Sequence, residues 1–186
     1  MIVKKRWKDI PPISEKLWSE LQPLKAFGID VYLASATLLD GVVVPCVMFV
    51  EKNTSYQQNL FPVCGFIWRK HKCDDEHMID AASVIQASPS PYALPPKIGL
   101  MLDEHGHYDD PISHARLRLR DGREYWIRKS WPGLFVGVPN GYSSLDITGV
   151  AEWATQAFYE VDKEISDSVV DPPPYKFCIL RRPNIG

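Results

Sequence analysis

The sequence predicts an α+β fold: a mostly antiparallel sheet built from two Asp-Gly hairpins, with two or three helices that include a long C-terminal helix. Two observations support this prediction. Segments with strand periodicity alternate along the chain with segments of helical periodicity. An Asp-Gly dipeptide also separates two apolar segments in each half, at 40–41 and at 121–122. With 186 residues, 45% of them hydrophobic, the chain is long enough to bury a core without a metal or a disulfide.

A short helix is predicted first, over residues 14–27. Ser14 is a suitable N-cap residue and Gly28 a suitable end, while Pro23 predicts an early end or a kink. The apolar residues of this segment recur at spacings of three and four, namely Leu17, Trp18, Leu21 and Leu24.

The first hairpin is predicted over residues 29–50, with Asp40-Gly41 as a two-residue type I′ turn. Both faces of its strands are apolar, which predicts a sheet that is covered on both sides. Pro45 has no N–H to donate, so we expect a bulge or an edge strand at this residue. A third strand is predicted at 63–69, and a helix with an acidic first turn at 74–87.

Four prolines between residues 88 and 96 predict a linker or a rigid crossover. A short strand is predicted after them, at 98–102. Because no internal repeat of fixed period is apparent, we expect a single α+β domain over residues 1–186. The two hairpins, one in each half, leave a two-lobed layout open around the crossover.

The second hairpin is predicted to pair residues 115–120 with 123–129 across Asp121-Gly122. A further strand is expected at 134–138, and a last strand near the C-terminus. The long helix is placed at 144–167 because its apolar residues form one stripe, namely Ile147, Val150, Ala151, Ala154, Phe158, Val161 and Ile165.

Charge and motifs exclude several classes of function. Lys and Arg total 21 against 23 for Asp and Glu, so the net charge of −2 argues against nucleic acid as a partner. The longest apolar stretch, 42–50, is too short to span a membrane. Without an apolar leader after the basic N-terminus, and with four widely spaced cysteines, we expect a cytoplasmic protein. No nucleotide-binding or hydrolase motif is present, and no cofactor is predicted.

The histidines form two candidate metal sites, because all five lie between residues 71 and 114. His71, Cys73 and His77 combine ligand types that zinc prefers, and His105 with His107 would lie on one side of a strand. Such sites would support a metal-dependent hydrolase. The alternative interpretation is a polar connection that caps a helix, followed by a solvated turn.

A row of arginines on the second hairpin is the candidate binding surface. Across a two-residue turn, Arg120 pairs with Arg123 and Arg118 with Tyr125, so the predicted face comprises Arg116, Arg118, Arg120, Arg123 and Tyr125. Leu117, Leu119 and Trp126 are predicted to lie on the buried face. The arginines would bind phosphates, as in a nucleic-acid binder, or the carboxylates of an acidic protein. The alternatives are an ordinary wet face and internal pairing with acidic residues of the predicted long helix.

Among these hypotheses, the sequence favours a non-catalytic cytoplasmic protein-binding domain, of the inhibitor or immunity type, that neutralises a partner protein. Aromatic and Arg residues anchor protein interfaces. We therefore expect the partner to contact the predicted arginine face and the loop residue Trp131. The metal-dependent hydrolase and the nucleic-acid binder are the alternatives.

Overall fold

The computed structural model describes residues 10–26, 31–51, 78–105, 114–128, 135–154 and 163–183. These residues fall into two compact units. Ala26 already belongs to the second unit, and the main passage from the first unit to the second lies between Pro89 and Ser90. The chain returns to the first unit between Pro173 and Pro174. Both passages lie in proline-rich segments.

The described part of the chain is mostly sheet, with 48% strand and 23% helix. The helices are α1 (Glu15–Leu21), α2 (Pro96–His105) and α3 (Lys163–Asp167). The strands are β1 (Val31–Leu38), β2 (Val43–Glu51), β3 (Met78–Ile79), β4 (Val84–Pro89), β5 (His114–Leu119), β6 (Glu124–Arg128), β7 (Val138–Pro139), β8 (Ile147–Ala154), β9 (Val169–Val170) and β10 (Lys176–Leu180).

The predicted long C-terminal helix is wrong. Residues 147–154 form strand β8, and α3 is a helix of only five residues. The β-branched residues of β8 and its interior Gly149 favour a strand over a helix. Two irregularities in its pairing with β5 leave Ile147, Val150 and Trp153 pointing into the same core. A strand with bulges can therefore have buried apolar residues three positions apart, which is the spacing expected of an amphipathic helix.

Two other predicted elements also differ. The predicted helix at 74–87 is replaced, from residue 78 onward, by β3, a 3-10 turn at Ala81–Ser83 and β4. The predicted strand at 98–102 lies instead within α2, whose buried residues Ile98 and Leu102 are one helical turn apart. A short apolar segment fits either element when it is judged by periodicity alone. The predicted strand at 63–69 lies outside the described residues.

In the first unit, five strands form one sheet in the order β3-β10-β2-β1-β4. The bulge predicted at Pro45 is confirmed, because Ser35 alone lies opposite Pro45 and Cys46. The Ser35 hydroxyl donates to the Pro45 carbonyl at 3.1 Å. Helix α1 packs on β4, and its Leu17 and Leu21 enter a core with residues of β1, β2 and β10. The opposite face of these strands is buried too, as predicted, at Val31, Leu33, Cys46, Met48 and Phe177.

In the second unit, three strands form a sheet in the order β6-β5-β8, and β7 pairs with β9. Helix α2 packs on β8, and α3 packs on β6 and β7. The core contains Leu94, Ile98, Leu102, Ala115, Leu117, Leu119, Tyr125, Ile127, Val136, Val138, Ile147 and Ile165. One face of the three-stranded sheet is therefore apolar and buried.

Both hairpins close with a loop of three residues, so the predicted two-residue turns are wrong. In the first, Leu38 N–H donates to the carbonyl of Val42 at 2.9 Å, and Gly41 takes a φ of 83°. In the second, Leu119 N–H donates to the carbonyl of Arg123 at 2.8 Å, and Gly122 takes a φ of 87°. A glycine in the left-handed region at the third position is typical of a three-residue hairpin loop.

The two units share one internal plan, although no sequence repeat was expected. Each runs from a helix through a hairpin and a 3-10 turn to a third strand that pairs antiparallel with the first. Buried positions of the first helical segment recur 81 residues later: Ile13, Leu17 and Leu21 correspond to Leu94, Ile98 and Leu102. The two hairpin loops have the same offset, and the third strands, β4 and β8, each carry a bulge at their second residue. The repeat lies in the burial pattern more than in residue identity.

Candidate interaction surfaces

The register of the second hairpin decides which side chains share the arginine face. The three-residue loop pairs Arg118 with Glu124, Leu117 with Tyr125 and Arg116 with Trp126. A shift of one residue moves every side chain of β6 to the other face. Tyr125 is therefore buried, where its hydroxyl donates to the Gly137 carbonyl at 3.1 Å, and its predicted place on the arginine face is wrong. Trp126, predicted to be buried, lies beside Arg116 instead.

The open face of this sheet carries a row of alternating charges. The Arg116 guanidinium lies 2.8 Å from the Glu152 carboxylate and 3.3 Å from that of Glu124. Arg118 Nε donates to the other Glu124 oxygen at 2.8 Å. The Arg116 guanidinium also lies 5.9 Å from the centre of the Trp126 ring, within range of a cation–π contact. We call these five residues the charged face.

The other two arginines are also paired with acids, but Arg123 does not share the face of Arg116 and Arg118 as predicted: it lies opposite Leu119, on the side of the sheet that carries Tyr125. Arg120, in the loop, has its Nη1 3.1 Å from an oxygen of Asp146, whose other oxygen accepts from the Ser143 N–H and caps the 3-10 turn Ser144–Asp146. Arg123 Nε donates to Asp121 at 2.7 Å. The arginines therefore pair with acids inside the fold, but these acids lie on strands, a loop and a 3-10 turn and not on a long helix.

The loop also holds a small hydrogen-bonded cluster. The Tyr142 hydroxyl donates to Asp121 at 2.7 Å and contacts the guanidinium of Arg123, which lies 5.3 Å from the ring centre. Hydrogen bonds from Tyr142 and Arg123 lower the pKa of Asp121 to about 2. The same bond to Asp121 raises the pKa of Tyr142. Asp121 therefore remains ionised at any pH at which a partner would bind.

Among the arginines of the second hairpin, Arg118 and Arg120 are the most open to a partner. Their side chains are 55% and 70% exposed, whereas that of Arg116 is 29% exposed. Gly149 is the residue of β8 opposite Arg118, and a Cβ at this glycine would meet nothing within 4 Å. Space next to Arg118 is therefore available for a group of another molecule.

The other predicted site residues are not brought together by the described residues. Trp131, His71, Cys73, His77 and His107 lie outside them, and of His105 only the backbone, at the end of α2, is described. Within the described ranges, no group of three or more His, Cys, Asp or Glu side chains is placed to hold a metal ion. Both described cysteines, Cys46 and Cys178, are buried, and burial raises the pKa of Cys178 to about 12.

A surface that the sequence analysis missed lies at the end of the first hairpin. Leu39, Val42, Val43 and Ile85 are large apolar residues that the structure leaves exposed. The pattern of a buried hairpin assigned Leu39 and Val42 to the core. Their position in the sequence could have indicated exposure, because both residues adjoin Asp40-Gly41, and the residues of a hairpin loop are usually polar and in contact with solvent.

Comparison with known proteins gives no relative: no protein-family model, curated protein or solved structure matches the chain. Within the described part of the chain, no helix has the length and apolarity needed to cross a membrane.

Proposed function

We propose that the chain is a non-catalytic cytoplasmic protein-binding domain, an inhibitor or immunity-type protein that neutralises another protein through its charged face. The observation that supports this proposal is an open sheet face where arginines lie in fixed positions beside a tryptophan. Arg and Trp are enriched at the energetic centres of protein interfaces.

The ion pairs hold the arginine side chains of the charged face in place before a partner binds. Glu124 accepts from Arg118 and lies against Arg116, so the two long side chains are already ordered before a partner arrives. Ordering a flexible side chain at an interface costs roughly 0.5–1.5 kcal/mol, and this cost falls when the side chain is held beforehand.

The exposed guanidiniums favour a partner that presents carboxylates. A guanidinium carries five N–H donors, and the ion pairs described above engage only Nε of Arg118 and Nη1 of Arg120. The remaining donors suit a carboxylate held by two hydrogen bonds. Glu124 and Glu152 would repel the continuous phosphates of a nucleic acid, so a protein with a few placed carboxylates fits this face better.

The test compares the wild-type chain with the double variant Arg118→Ala/Arg120→Ala in capture from native cell extract, followed by titration of the purified partner. Lys16→Ala is the matched control, because Lys16 is an exposed basic residue of the first unit that also pairs with an acid. We expect the double variant to lose about tenfold or more in affinity, with a clear dependence on salt. Its free energy of unfolding should change by about 1 kcal/mol or less, since exposed ion pairs contribute little.

A partner that binds the double variant and the wild type equally at low salt would show that the charged face is an ordinary solvated surface. Loss of folding in the double variant would instead show that these arginines serve the fold.

A further inference from the structure

The end of the first hairpin exposes four large apolar side chains, which we call the apolar tip: Leu39, Val42, Val43 and Ile85. Their exposed fractions are 70%, 52%, 59% and 46%. Together they expose on the order of 300–400 Å², an area comparable with the largest apolar patch on a typical monomer. This surface covers both faces of the hairpin end, because Val42 lies opposite Leu38 and Val43 opposite Thr37.

Backbone pairing places the four residues at one end of the sheet. Leu39 and Val42 adjoin the turn, and Leu39 is tied to the 3-10 turn by its N–H, which donates to the Ser83 carbonyl at 2.8 Å. Val43 pairs with Thr37, which in turn pairs with Gln86, the residue after Ile85. Val43 and Ile85 therefore lie on either side of Thr37, at the base of the projecting loop.

The second hairpin serves as an internal control. It has the same three-residue loop and the same bulge in the neighbouring strand. It also has the same backbone hydrogen bond from the loop to the 3-10 turn, in which Arg120 N–H donates to the Asp146 carbonyl at 2.8 Å. At the positions of the apolar tip it carries polar or charged residues: Arg120, Arg123, Glu124 and Thr148. This loop geometry therefore does not require apolar side chains, and their presence in the first hairpin needs another reason.

The loop aspartate differs in the same way between the two hairpins. Asp40 and Asp121 each accept from the backbone N–H two residues later, at 3.0 Å and 3.1 Å. The second oxygen of Asp121 also accepts from the Arg123 side chain and from Tyr142. Val42 stands where Arg123 would be, and within the described residues the second oxygen of Asp40 has no partner.

We propose that the apolar tip inserts into a concave apolar cleft of another protein, with a lysine or arginine at the mouth of that cleft to meet Asp40. A projecting loop fits a concave surface, and the unpaired carboxylate oxygen calls for a cation among apolar neighbours. A second copy of this chain does not fit, because two tips would bring two Asp40 carboxylates together. This surface lies in the first unit and does not rest on the proposed role of the charged face.

The second hairpin also supplies the test variant. The quadruple variant Leu39→Arg/Val42→Arg/Val43→Glu/Ile85→Thr gives the apolar tip the side chains that the same backbone carries in the second unit. Two simpler variants protect the test against misfolding. Leu39→Arg changes one exposed side chain, and Asp40→Asn keeps the turn hydrogen bond but removes the charge. Leu145→Ala is the control, because Leu145 is 64% exposed on the 3-10 turn of the second unit.

The protein that binds the apolar tip is identified by photo-crosslinking in the native cells. The photoreactive residue p-benzoylphenylalanine is placed at position 39 of the full chain and, as a control, at position 145. We expect one protein to be crosslinked from position 39 and not from position 145. Purified, it should bind Leu145→Ala as it binds the wild type. It should bind Leu39→Arg and the quadruple variant about tenfold or more weakly, and Asp40→Asn several-fold more weakly.

Three results would overturn the proposal: crosslinking of the chain to a second copy of itself, equal crosslinking from positions 39 and 145, or unchanged affinity of the captured protein for Leu39→Arg and Asp40→Asn. Failure of the charged-face variants leaves this test unaffected, because Arg118 and Arg120 are unchanged in it.

Discussion

Gly137 shows how a single missing side chain allows two segments to meet. A Cβ at this position would lie 2.8 Å from Val169 Cγ1 and 3.2 Å from the Val170 carbonyl oxygen. The Gly137 carbonyl in turn accepts from the buried hydroxyl of Tyr125. Glycine is needed at position 137 because any larger side chain would keep the backbone of this residue and strand β9 farther apart.

Gly137→Ala should therefore destabilise the protein by about 1–3 kcal/mol, the usual cost of forcing extra atoms into a packed region. Gly149→Ala is the control, because its Cβ would meet nothing within 4 Å. Urea denaturation of both variants checks the prediction. Equal midpoints for the two would mean that β9 moves aside without cost.

Tyr32 is a buried residue of the first unit that belongs to a polar cluster reaching the surface at Arg182. Its hydroxyl donates to Glu51 at 2.6 Å, and Arg182 Nε donates to the other oxygen of Glu51 at 2.5 Å. Trp18 contacts both Tyr32 and the guanidinium of Arg182, at 5.6 Å and 5.3 Å between centres. Burial and the adjacent Glu51 carboxylate raise the pKa of Tyr32 from 10.0 to about 12.

This raised pKa predicts a loss of stability in alkali. The folded state favours the neutral phenol, so its contribution is complete below pH 10 and is lost as the pH rises from 10 through 12. Over this range, Tyr32 should add up to about 1.4 kcal/mol per pH unit to the decline in the free energy of unfolding. Urea denaturation at several pH values checks this. Tyr32→Phe should show a shallower decline than the wild type, and an equal slope would assign the loss to other groups.

At the scale of the element, the second hairpin shows what a one-residue difference in loop length does. An Asp-Gly dipeptide fits both a two-residue and a three-residue loop, and the sequence alone did not separate them. Arg116 and Arg118 share one polar face in either register, because β5 alternates regardless of its partner, whereas Arg123 changes face with β6. Tyr125 and Trp126 exchange faces, since β6 takes its register from the loop.

The register predicts that the loss of the Tyr125 side chain destabilises the protein much more than the loss of the neighbouring Trp126 side chain. Tyr125→Ala should cost about 3–5 kcal/mol, because it empties a fully buried site. Trp126→Ala should cost only about 1–2 kcal/mol, since it removes a half-buried ring and a cation–π contact. Thermal and urea unfolding of the two variants decide the matter, and the reverse order would favour the two-residue turn.

The errors in strand and helix assignment share one physical cause. The buried residues of the segment that ends in β4 are Ala81, Val84 and Ala87, again three apart, because a 3-10 turn and a bulge interrupt the alternation. Periodicity identified which residues face a core, but not the backbone that places them there. The positions of the Asp-Gly turns, but not the lengths of their loops, and the bulge at Pro45 could be predicted because each depends on local chemistry.

At the scale of the whole molecule, the repeated plan could not be predicted from the sequence because the two units share the positions that are buried and not the residues at those positions. Ala36 of the first unit corresponds to Leu117 of the second, and Val44 to Tyr125, so the cores match in position while their side chains differ. The apolar tip escaped prediction for a related reason. Leu39 and Val42 continue the apolar pattern of the two strands, so the sequence suggests that they are buried, whereas the loop conformation exposes them to solvent.

The path of the chain through the first unit has a consequence for its synthesis. Strand β10, at Lys176–Leu180, pairs in parallel with β2, which ends at Glu51. A ribosome therefore completes the whole of Ser90–Pro173 before it delivers the strand that covers this edge of β2. Until β10 is made, this edge of β2 has unpaired N–H and C=O groups with which a neighbouring nascent chain can pair. Translation speed through the second unit thus sets how long the first unit is exposed to aggregation.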